Sequence, residues 1–124
     1  MKKAILLVFF GIFCSSFLFS QVPETVQILE MKRIYNQIFK QPVSPASLTP
    51  EEKSDYADTV KYLSDKSLSE IQEQFSNIIL MAGIFLDPSL RRLTYGELSQ
   101  TQINESIRAF DLACQAIFEV LSKR

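Results

Sequence analysis

The sequence predicts an all-α protein: a compact antiparallel four-helix bundle over residues 21–124, behind a signal peptide over residues 1–20. Three observations carry this. From residue 21 onward, apolar residues recur in four stretches at intervals of three and four, the period of a helix that buries one face. Three of the stretches open on a capping box, Thr49 with Glu52, Ser67 with Glu70 and Ser99 with Gln102. The chain itself starts with Lys2 and Lys3, an apolar run from Ala4 to Phe13 and a short serine-containing tail, which is the layout of an export signal.

Leu18 and Ser20 occupy the third-last and last positions before Gln21, where a signal peptidase takes small or modest apolar side chains, so cleavage after Ser20 is expected. A second site lies at Cys14-Ser15-Ser16. A retained anchor is the first alternative, but it needs about twenty apolar residues, and Ala4 to Phe19 is shorter and holds two serines. A lipoprotein is the second; it would begin at Cys14, yet Phe13 stands where a small residue is required. The protein is therefore expected outside the cytoplasm, periplasmic or secreted by Sec-type export, with no stable membrane span once the leader is gone.

Composition narrows the chemistry. The chain has 13 Lys and Arg against 14 Asp and Glu, and Lys2 and Lys3 belong to the leader. What remains is mildly acidic and free of charge blocks, so no nucleic-acid partner is expected. Histidine is absent, which removes the commonest metal ligand and the usual general base near neutral pH. No H-E-x-x-H or Glu-x-x-His metal site can form, and Gly83 and Gly96, the glycines beyond the leader, build neither a phosphate loop nor a nucleophile elbow. No catalysis, metal or cofactor is expected. Cys14 leaves with the leader, and Cys114 falls on one helical stripe with Ile103, Ile107, Phe110, Ile117 and Leu121, where it packs as a small hydrophobe.

The first helix is predicted from about Pro23 to Lys40. Ile28, Met31, Tyr35 and Ile38 make its buried face, flanked by Ile34 and Phe39, while Val22, Val26 and Leu29 point the other way. Pro42 and Pro45 end it. The second helix starts at the Thr49 cap with Pro50 in its first turn and runs to about Ser64. Tyr56, Val60 and Leu63 give it a narrow buried edge, and Glu51, Glu52, Asp55 and Asp58 are read as a solvated face favoured by the helix dipole.

From Leu68, the series Leu68, Ile71, Phe75, Ile78, Ala82, Phe85 forms the seam of the third helix. The short link from Leu63 predicts that the second and third helices are antiparallel neighbours. Asp87-Pro88 closes the third helix, and Ser89 to Leu98 is expected to be a connector holding one irregular turn, with Arg91 and Arg92 solubilising it or meeting an acidic partner. The last helix runs from the Ser99 cap to about Ser122, with Leu98 and Ile103 as a hydrophobic staple. Ala109, Ala113, Ala116 and Val120 widen its apolar arc and invite close approach, leaving Asn104, Arg108, Asp111, Gln115, Glu119 and Ser122 for solvent.

The most suggestive functional feature is Ile78 to Leu86, nine residues without a polar side chain. The seam accounts for only part of it. Leu80 and Ile84 share a side with Glu73 and Asn77, and Met81 lies near Glu70 and Gln74, positions expected to face water. Nine residues are too few to span a bilayer. Three readings stay open: cover from the first helix or the connector, a contact with a protein partner or a second copy, or a pocket for a lipid or other apolar ligand.

Four windows, Leu48-Thr49-Pro50-Glu51-Glu52, Leu68-Ser69-Glu70-Ile71-Gln72, Leu93-Thr94-Tyr95-Gly96-Glu97 and Leu98-Ser99-Gln100-Thr101-Gln102, resemble the L-T-x-x-Q pattern of the small periplasmic all-helical chaperone and stress-adaptor family typified by Spy and CpxP. That resemblance implies a periplasmic stress chaperone, and no binding residue is carried over from it. The residues themselves lead to an exported protein that acts by protein interaction, as an adaptor, chaperone-like factor or envelope-assembly component, through Leu80, Met81 and Ile84. The alternative is a carrier of an apolar ligand or lipid held between the third and last helices.

Overall fold

A computed structural model describes residues 22–124, so the expected leader and its cleavage site lie outside the described residues. The described chain is all-helical, in the order α1 (Glu24–Ile38), α2 (Pro50–Leu63), α3 (Leu68–Leu86), α4 (Pro88–Tyr95) and α5 (Gln100–Ser122), with a single 3₁₀ turn (Pro45–Ser47) between α1 and α2. All three capping boxes form: the hydroxyls of Thr49, Ser67 and Ser99 accept the N–H of Glu52, Glu70 and Gln102, whose side chains accept the N–H of the cap residue in return. Each box satisfies donors that the first turn of a helix leaves without an internal partner.

The fourth predicted helix is the fifth observed one, because the connector after Asp87 is itself helical. Asp87-Pro88 both stops and starts a helix. Pro88 ends α3, and the Asp87 carboxylate, turned inward, accepts the N–H of Ser89 (3.0 Å) and Leu90 (3.3 Å) as the cap of α4. Gly96 ends α4 at a φ of 74°, a left-handed conformation that glycine adopts without a Cβ clash. Arg91, read as a solubilising residue, donates to the Phe85 carbonyl (2.7 Å) and so ties α4 to the end of α3.

The core is one cluster. Ile71, Phe75, Ile79 and Ala82 of α3 meet Cys114, Ile117, Val120 and Leu121 of α5, and α1 closes over them with Met31, Ile34, Tyr35 and Phe39. Phe118 takes the Tyr35 and Phe75 rings edge-on at centroid distances of 5.5 and 5.8 Å. Phe85 meets Phe110 (5.4 Å) and Tyr95 (5.0 Å) at the far end of α3. Such pairings add to the area that the rings bury. Ile79 and Gly83, outside the predicted seam, are buried as well; they share a side of α3 with Gln72, whose amide bonds Gln27 of α1 (2.7 Å). A second helix thus covers part of the apolar run.

α5 is the hub, packing most extensively on α3 and then on α2. The expected close pairing of the second and third helices is not among the main contacts, since α2 lies against α5 instead. Where α5 carries the small side chains Ala109 and Ala113, α2 leaves a gap against it.

Candidate functional site

Of the residues expected to form a contact surface, Met81 is exposed at 39%, whereas Leu80 and Ile84 are half-buried. All three lie on the side of α3 away from Phe75 and Ala82, which the core covers. Further exposed apolar residues follow the same end of the molecule, Leu86 at the end of α3 and Leu93 (84% exposed) and Tyr95 on α4. Val26 and Leu29 project from α1, on the face the sequence assigns to solvent. The seam between α3 and α5, where an apolar ligand was expected to sit, is filled: Phe75, Ile71, Ile79, Ile117 and Cys114 are each at most 1% exposed.

The largest departure from expectation is the polar stripe of α5. Arg108, Asp111, Gln115 and Glu119, at helical spacings of three and four, were assigned to water. Instead they hold the segment that leads from α1 into α2. Asp111 is 2% exposed; one carboxylate oxygen accepts the Tyr35 hydroxyl and the Gln115 amide (3.0 Å), and the other accepts the Val43 N–H (2.7 Å). Gln115 donates also to the Val43 carbonyl (2.9 Å). Arg108 grips both oxygens of Glu52 (2.5 and 3.1 Å) and the Ser47 carbonyl (3.1 Å), and Tyr56 donates to Glu119 (3.3 Å). The reason is geometric: the linker must cross α5, and its backbone groups need partners once water is displaced.

Two signals in the sequence point to this stripe. Its residues recur at seam spacing, and Tyr35, on an apolar face, needs a partner for its hydroxyl. Burial and the Asp111 carboxylate push the Tyr35 phenol far above its ordinary value, and burial does the same to the Cys114 thiol, which keeps it protonated and unreactive. Burial and Glu119 push Tyr56 up to about 12. The Arg108 guanidinium, aided by the Thr49 N–H, holds Glu52 down to about 2.

A depressed carboxylate stabilises the fold above its ordinary value of 4.5 and loses that contribution as pH falls toward about 2. Arg108→Met is therefore expected to lower the thermal midpoint at neutral pH, with the gap from wild type closing across that acid window. A gap unchanged down to pH ~2 would show that Glu52 is not the partner that matters.

Between α2 and α5 lies an open cleft of about 250 Å³, lined by Glu52, Asp55, Tyr56, Thr59, Glu105, Ala109, Leu112 and Ala113. Its carboxylates are too dispersed to bind a metal, and among the described residues no group of acidic or cysteine side chains could hold one. No described helix is long and apolar enough to cross a membrane. No family model, curated protein or solved structure matches this chain.

Proposed function

We propose that this is an exported helical protein that works outside the cytoplasm by binding another protein, or a second copy of itself, through the face of α3 that carries Leu80, Met81 and Ile84. The role is that of an adaptor, a chaperone-like factor or an envelope-assembly component, without catalysis. The observation that carries the reading is that Met81 and Leu86 stay exposed, with Leu80 and Ile84 only half covered, in an apolar run whose Ile79, Ala82 and Phe85 are committed to the core. Apolar surface left uncovered beside a filled core is the ordinary mark of a contact site. The filled α3–α5 seam speaks against the ligand carrier.

In the same proposal, the four longer helices make an antiparallel bundle in which α4 is an addition at one end. Phe75 against Phe118 and Phe85 against Phe110 support opposite directions for α3 and α5.

A photo-crosslinking residue placed at Met81 in the native host is expected to give a discrete adduct, a dimer or a single heterologous species, while the same residue at Glu73 on the exposed polar part of α3 gives none. Leu80→Asp with Ile84→Asp should abolish the adduct; because both positions are half-buried near the end of α3, a drop in the thermal midpoint is expected too, and the milder Leu80→Ser should weaken the adduct with a smaller drop. No adduct at Met81, or equal yields at Met81 and Glu73, would overturn the proposal.

A further inference from the structure

We propose that the linker after α1, together with α2, is a strap that lifts from α5 as one unit while α1, α3 and α5 stay packed. Its two ends are fixed: Phe39 and Leu63 are buried in the core. Between them, from residue 40 to residue 62, no side chain is fully buried, and Leu63 is the one buried residue of α2. α3 and α5, by contrast, bury residues along their whole length, from Ile71 to Phe85 and from Ile103 to Leu121.

Apart from Val60, which packs half-buried against the core, what holds the strap is mainly polar. Arg108 grips Glu52 and Ser47, Asp111 and Gln115 hold Val43, and Glu119 holds Tyr56. Such contacts are exchanged for water when they open, so their net strength is modest beside apolar burial. Segments with few buried apolar contacts are the ones that open locally below the cost of global unfolding. The cleft between Tyr56 and Thr59 on one side and Ala109 and Ala113 on the other shows that the strap does not seal against the helix beneath it. Opening would uncover Leu112 and the rest of the half-buried Ala113 on α5, next to Ala109, which the cleft already leaves exposed, so the strap covers a short apolar strip separate from the Met81 face.

Native-state hydrogen exchange of the mature chain tests this, read residue by residue at low denaturant. The amides from Lys53 to Tyr62 are expected to share one opening, nearly independent of denaturant, while those around Phe75 and Ile117 exchange only by global unfolding. Arg108→Met should speed exchange in α2 by roughly threefold and leave α3 unchanged. Added salt on the wild-type protein should act in the same direction through screening of the Arg108–Glu52 pair, a measurement that needs no variant. Protection in α2 equal to that of α3 would overturn the proposal. So would protection that rises steadily from Lys53 to Tyr62, since that pattern is fraying from one end and not the lifting of a unit.

Discussion

Asp111→Ala is expected to lower the stability of the protein by about 3 kcal/mol, and with it the thermal midpoint by about 15 °C. The carboxylate is almost completely enclosed and accepts from three separate donors, the Tyr35 hydroxyl, the Val43 N–H and the Gln115 amide. Truncation removes the shared acceptor while leaving all three donors in place, and the cost of a buried donor without a partner exceeds the net worth of the bond it made. Tyr35→Phe, which takes away one donor and leaves the carboxylate held by the other two, should cost only about 1 kcal/mol. Asp111→Asn keeps the volume but turns an NH₂ group toward donors, and belongs between the two. Urea unfolding of the three variants would check the order. An Asp111→Ala protein as stable as wild type would mean that the linker does not depend on this carboxylate.

Phe75→Ala should cost about 4 kcal/mol. The ring is 1% exposed and lies between α1 and α5, edge-on to Phe118. Its loss removes apolar area from the core and leaves a void bounded by Ile71, Ile79, Cys114 and Ile117, all rigidly placed on long helices, so little collapse can fill it. Measured by denaturant, the midpoint should fall while the denaturant dependence stays the same, since the surface exposed on unfolding is unchanged. A cost below about 1.5 kcal/mol would show a core loose enough to repack.

These two residues divide what could be read along the chain from what could not. Phe75 sits on a seam whose period names it as buried, and it is. Helix spans were legible to within about two residues wherever a hydroxyl cap and its Glu or Gln partner stand together, because that pairing is local chemistry and completes itself within one turn. Asp111 was assigned to solvent by the same periodicity, which takes a polar residue on a helix as exposed and has no means of knowing that a linker distant in sequence will come to lie across it. α4 was missed for a different reason: Asp87-Pro88 reads as a stop, and only the inward turn of the Asp87 carboxylate shows it to be a cap as well.

The candidate contact face divides in the same manner. Its apolar content was visible as nine residues without a polar side chain, but how much of it the rest of the molecule covers was not. α1 takes the side of Ile79 and Gly83, Leu80 and Ile84 are left half-covered, and Met81 stays open. From the sequence alone come the all-helical class, the caps and the principal core positions, because each depends on interactions within one turn or on the repeat of a single helix. The tertiary structure alone decided that α2 rests on α5, that a carboxylate is buried to hold the linker, and which apolar residues remain uncovered. Those depend on which helix faces which: the spacing of the polar residues of α5 marks a stripe, but nothing in either partner's period names the distant segment that comes to lie across it.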